Sequence, residues 1–522
     1  MKNIKYITLI ALAIGFTSCN DESDFEDQLD MPPQDAVVLP SLTAGSADFS
    51  KYVAIGASFT AGFTDGGLFM AGQEDSFPNT LAKQFANAGG GTFTQPLTAD
   101  NFGGLAVGGT RIQDPRLVFG GAGPVPLEAV IGPVTVGTDL LAPPTGPFNN
   151  LGVPGAKSFH MIAPGYGNLA NLSAGLANPY ATRLTGATPN ASIVQLAVAQ
   201  NASFFTLSEV GGNDVLGYAL SGAESNTTST GFNPITPTAT FDFALNTMVT
   251  ALTANGAKGA IGNVPDITSL SHFTTVPFDA LDPSNPALAP QIPVLNAQLY
   301  GPLNQIFTAF GEPDRINILS TTEANPILIN DEDAADRSAA ITGALTPVLG
   351  APTATLFGQL FGKARQATAA DLFVLPASAV IATPVAGVPA PVNVNGVSFP
   401  MQDKWVLTPN EQAEIATATA AYNSTISSIT SSNPDLALVD LNNILSQATS
   451  AGVQFDDYNL NTSLVFGGLI SLDGIHLTAR GYALMANAFL DAIDTEFGSN
   501  FRASGNVAKA DDFGVNYSPL LP

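Results

Sequence analysis

The chain has 522 residues, enough for one large domain with insertions or for two or three domains. Apolar residues make up 45% and charged residues only 11%, which excludes a highly charged disordered polymer. Acidic residues outnumber basic ones 43 to 17, for a formal charge of −26, and no Lys/Arg cluster occurs. That balance excludes nucleic acid as a partner and disfavours polyanionic substrates or peripheral binding to anionic lipid, leaving neutral esters or glycan esters as better matched ligands.

The chain opens MKNIKYITLIALAIGFTSC, with Lys2 and Lys5 as a basic region and Ile7 to Phe16 as an apolar one. The run is too short to span a bilayer as a mature helix. It resembles a bacterial lipoprotein signal over residues 1–18, cut before Cys19, which then carries the lipid. The alternative is an ordinary secretion signal with a chance cysteine. As the only cysteine, Cys19 leaves no intramolecular disulfide. Cleavage removes Lys2 and Lys5 and no acid, taking −26 to −28. The following NDESDFEDQLD opens an acidic flexible tether over 19–49. It resembles the export tag of Bacteroidota lipoproteins, which implies an outer-membrane lipoprotein exposed at the cell surface, with the periplasmic face as the alternative; a plain solvated tether fits the same residues.

Residues 51–56 read as a strand that delivers Ser58 to a tight turn, with small Gly56 and Ala57 allowing the bend. A helix is expected over 77–87, with Pro78 in its first turn. Residues 88–149 are Gly- and Pro-rich and read as a long loop region with short strands. Asn150 to Ala156, NLGVPGA, reads as a rigid turn. Residues 189–200 look helical, with Ser192 to Val198 alternatively a strand. The next strand, 203–210, leads into Gly211-Gly212-Asn213-Asp214. A Ser/Thr/Asn loop covers 221–239. A helix over 241–254 follows, with Phe241, Leu245, Met248 and Leu252 on one face. Lys258 to Asn263 reads as a strand.

Residues 267–405 form a large insertion or small cap, with a helix at 294–309, a strand at 316–319 and a short hairpin at 387–403. Thr408-Pro409-Asn410-Glu411 combines a cap, a first-turn proline and a glutamate three residues on, opening a helix to about Ile429. Then come a strand at 436–441, a helix at 442–450 and a last helix with Tyr482, Met485, Phe489, Leu490 and Ile493 on its inner face. The tail, 501–522, reads as extended or disordered from residue 503.

Only three histidines exist: His160, His272 and His476. His476 stands out because Asp473 precedes it by three residues, a spacing that lets a carboxylate reach Nδ1 and leave Nε2 free as a base. His160 has no acid nearby, and both it and His272 read as structural. No metal-ligand pattern, P-loop or dinucleotide signature appears, so neither metal nor cofactor is expected. The two Gly-rich turns offer oxyanion donors: the N–H groups of Ser58 and Gly155 and the side-chain amide of Asn213.

In order, IGASF around Ser58, NLGVPGA around Gly155, GGND around Asn213 and DGIHLT with Asp473 and His476 resemble the four blocks of the SGNH hydrolases, also called GDSL-type lipases and esterases. The resemblance implies an α/β fold: a flavodoxin-like three-layer α/β/α sandwich with a central, mostly parallel sheet, here spanning 50–500 with insertions at about 88–149 and 267–405. It implies a serine ester hydrolase, of carboxylesterase or lipase type, working through an acyl-enzyme on an ester-bearing small molecule, lipid or glycan. A carbohydrate O-acetyl esterase and a non-catalytic surface binding lipoprotein with the same fold are the alternatives. The family's aspartate just before the serine is replaced by Ala57. An outer-membrane β-barrel is disfavoured, because alternating strand segments do not recur.

Overall fold

The computed structural model describes residues 38–223 and 233–521. Cys19, the signal segment and most of the acidic tether lie outside the described residues, as does part of the Ser/Thr/Asn loop. At the centre is a five-stranded, wholly parallel sheet. Its strands are β1 (Tyr52–Gly56), β2 (Asn150–Gly152), β3 (Phe204–Ser208), β4 (Lys258–Gly262) and β5 (Leu436–Val439). Their order across the sheet is 2-1-3-4-5. β1 and β3 are buried at every position, as expected of central parallel strands covered on both faces.

Helices cover both faces. On one, α1 (Phe77–Asn87) packs against α7 (Ala479–Phe497), with Phe77 stacked on Phe489 at 4.9 Å between centroids. On the other lie α2 (Ile193–Val198), α4 (Thr238–Thr253) and α5 (Pro409–Ser432), where Phe241 stacks on Tyr422 at 4.3 Å. The inner faces expected of α4 and α7 are the buried ones. Two shorter helices, α3 (Gly212–Leu220) and α6 (Leu441–Ser450), follow β3 and β5.

The structure differs from expectation at several elements. Residues 150–152 are a strand, not part of a turn: Gly152 comes so close to the turn after β1 that a Cβ would lie 2.2 Å from the Ala61 nitrogen. Within the helix expected over 189–200, Ile193–Val198 are helical, opened by a Ser192–Gln195 capping box, and the strand alternative does not form. Residues 316–319 form no strand, since side chains take their amides: Gln366 Oε1 accepts from Asn317 N at 2.8 Å and Asn296 Oδ1 from Leu319 N at 2.7 Å. No hairpin ladder forms over 387–403, where Pro389 and Pro391 have no N–H to donate and only isolated bridges occur. Ser338–Leu349 and Ala351–Phe361, where no element is expected, are two helices packed on each other.

Both ends of the described chain pack onto the body. Phe49, at the end of the segment read as tether, stacks on Phe85 at 4.1 Å. In the tail, Tyr517 donates to Asp75 at 2.9 Å, and Ser518 O accepts from Arg116 Nη2 at 2.7 Å. Among the described residues, no helix is long and apolar enough to cross a membrane.

Candidate active site

The carboxyl ends of β1 and β3 lie side by side, with Gly56 paired to Ser208, at the point where the strand order reverses. In open parallel sheets that edge and that point are where ligands bind. Gly56 is required there: a Cβ would sit 2.4 Å from the Ser208 carbonyl. Ser58 opens a single helical turn, Ser58–Ala61, that ends at Gly62 with φ +79. Its side chain is 5% exposed.

The acid loop before α7 is held in detail. Asp473 Oδ2 meets His476 Nδ1 at 2.8 Å and accepts from Gly66 N at 2.8 Å. Its Oδ1 accepts from the N–H groups of Ile475 and His476, each at 2.9 Å, and from Ser471 Oγ at 3.1 Å. Burial opposes ionisation of Asp473, but the adjacent imidazole and these donors outweigh it and hold the carboxyl far below its ordinary range. Burial likewise opposes charge on His476, yet Asp473, and then Glu209 and Asp65, raise its pKa above the ordinary histidine value. The ring packs against Phe63, centroids 4.7 Å apart, and Phe59, at 5.8 Å.

Gly155 adopts φ +77, a left-handed conformation that suits glycine, and is exposed. Asn213, in the first turn of α3, donates through Nδ2 to the Ala156 carbonyl at 3.1 Å, which ties the asparagine to the glycine turn. Asp214 beside it is buried and accepts from Ser158 N at 2.8 Å and Ser158 Oγ at 2.7 Å, fixing the same turn. Among the described residues, the N–H groups of Ser58 and Gly155 have no hydrogen-bond acceptor. Ser58, Asn213 and Ile475, the neighbour of His476, line one apolar cleft walled by Leu216, Ile444, Leu469, Leu484 and Met485.

One feature departs from the expected serine–histidine contact. Ser58 Oγ bonds to Glu209 Oε1 at 3.3 Å, and no hydrogen bond joins it to His476. Glu209 Oε2 also accepts from the N–H groups of Phe59 at 2.6 Å and Thr60 at 3.1 Å. Burial pushes the Glu209 carboxyl up to about 7, against these hydrogen bonds and the His476 charge. Glu209 holds φ +57, unusual for a side chain this large. Asp65 is a second addition. It is buried with φ +52, its Oδ1 accepts from Leu472 N at 3.0 Å, and burial pushes it up to about 7. No motif marks either residue in the sequence; Glu209's place directly after a buried strand was the one available signal.

The other histidines divide. His160 accepts from Lys157 N at 3.0 Å, stacks on Tyr166 at 4.3 Å and is lowered to about 4 by burial, so it serves structure. His272 sits against the acid loop, with Nδ1 3.4 Å from the Asp473 carbonyl and N donating to Gly474 O at 2.9 Å. It is a neighbour of the site, which its Ser/Thr-rich surroundings do not reveal. No family model, no curated protein and no solved structure matches the chain.

Proposed function

We propose that the chain is a serine ester hydrolase of carboxylesterase or lipase type, with Ser58 as nucleophile, His476 as base and Asp473 as its orienting acid. The observation that carries the reading is that Ser58 and the Asp473–His476 pair share neighbours at one sheet edge. Glu209 bonds the serine and acts electrostatically on the histidine, and Phe59 packs beside the ring. The strand order 2-1-3-4-5 supports the flavodoxin-like form of the α/β fold, whose ligand site lies at this switch point.

In the proposed reaction, the Ser58 hydroxyl leaves Glu209 and donates to His476 Nε2 as Oγ attacks the acyl carbon. The oxyanion takes the free N–H groups of Ser58 and Gly155 and the Asn213 amide, each such donor contributing about 3 kcal/mol. Imidazolium, stabilised by Asp473, returns its proton to the departing alcohol. Water, deprotonated by His476, then releases the acid and restores Ser58.

The apolar cleft favours an acyl chain over the acetyl group of a glycan ester. The Ser58–Glu209 bond is the specific observation on the side of a non-catalytic binding protein. A fluorophosphonate probe separates the two readings. Covalent labelling that disappears in Ser58→Ala, with ester turnover reduced about 10⁴-fold or more, is expected of the enzyme. An unlabelled native chain, or full turnover in the variant, overturns the assignment.

A further inference from the structure

A second cluster of ionisable groups stands apart from the Ser58 site. Glu332 follows the short strand Leu328–Asn330 in the 267–405 insertion, Asp403 opens the turn Asp403–Trp405, and Glu411 lies in the first turn of α5. One carboxylate oxygen from each lies within 4.8 Å of the other two. Glu411 is only 4% exposed. Its Oε2 accepts from Thr408 N at 2.6 Å and Thr408 Oγ1 at 2.9 Å. Its Oε1 is buried and receives no N–H or O–H donor, while the Glu411 carboxyl lies at hydrogen-bonding distance of the Glu332 carboxyl. Among the described residues no salt bridge reaches Glu332 or Glu411. Tyr218, which faces this cluster, donates to a further acid, Glu414, so the surroundings add negative charge. A buried carboxylate held beside two others is costly unless a proton or a cation sits between them.

We propose that Glu332, Asp403 and Glu411 bind a calcium ion that fastens the insertion to the amino end of α5. All-oxygen, carboxylate donors select a hard cation and exclude soft metals. Calcium accepts irregular shells of six to eight oxygens at about 2.3–2.6 Å, which suits carboxylates brought in from three separate elements, whereas magnesium needs about 2.1 Å and near-ideal octahedral geometry. Water completes the shell on the exposed Glu332 side. The site is independent of the hydrolase reading.

The test is calcium titration of the full chain after chelator treatment, by calorimetry and by thermal unfolding, with magnesium as the control. One saturable site is expected in the weak class, Kd about 0.1–1 mM, with a rise in Tm that magnesium does not match. Glu332→Gln, on an exposed side chain, is expected to weaken binding about tenfold or more without altering the calcium-free Tm. Glu411→Gln, which keeps the capping geometry, is expected to abolish it. Absence of saturable binding up to about 10 mM calcium, or unchanged binding in Glu332→Gln, overturns the proposal.

Discussion

At the residue scale, the proposed chemistry turns on the charge of one imidazole. His476 must be neutral to accept a proton, yet Asp473, Glu209 and Asp65 surround it and favour the charged ring. Raising the folded-state pKa means that more base is needed to free it. The acid limb of kcat/KM is therefore expected to have its midpoint above the ordinary histidine value of 6.5. Glu209→Gln removes a carboxyl that stabilises imidazolium to the extent that it is ionised, so the midpoint is expected to move to lower pH. The same change weakens the hold on the Ser58 hydroxyl while keeping an acceptor for the Phe59 and Thr60 amides. A pH–rate series on an activated ester, native chain against Glu209→Gln, reads both effects; an unmoved or raised midpoint rules out the electrostatic link. The Asp473–His476 pair was legible in the sequence because both groups lie on one short loop. Glu209 was not, because its partner Ser58 is 151 residues away and only the β1–β3 register brings them together.

At the scale of elements, three helices decide what the site can hold. α3, α6 and α7 each contribute an apolar wall to the cleft, through Leu216, Ile444 and Met485 among others. Leu216 is only half-buried, so a larger side chain there projects into the cleft rather than into the core. Leu216→Trp is expected to lower kcat/KM for octanoyl or lauroyl esters about tenfold or more, and to leave acetyl esters within about twofold. Equal losses on short and long esters would remove the cleft from the acyl-binding role. Helices with caps and amphipathic faces were readable from residues: α5 from its Thr408–Glu411 box, α7 from its apolar stripe. The pair Ser338–Leu349 and Ala351–Phe361 escaped because alanine, glycine and threonine give no 3.6-residue contrast. Strand β2 escaped because three residues, two of them Asn150 and Gly152, carry almost no β-propensity.

For the molecule as a whole, membrane attachment is a question of charge and anchor. A chain of net charge −26 is repelled by anionic lipid, and no described helix can cross a bilayer. If the protein is held at a membrane, Cys19 is the residue the sequence offers for it. Acyl chains contribute about 0.8 kcal/mol for each buried methylene, and more than one chain is needed for stable attachment, which a fully processed lipoprotein cysteine supplies. Cys19→Ala is accordingly expected to end incorporation of labelled palmitate and to move the protein from the membrane to the soluble fraction, with the Ser58 site still labelled by the probe. Ala47 and Phe49 are buried, Phe49 against Phe85, while Val38 and Leu39 are exposed. Palmitate retained in Cys19→Ala, or a native chain that is soluble and unlabelled, would return the amino terminus to the reading of an ordinary secretion signal.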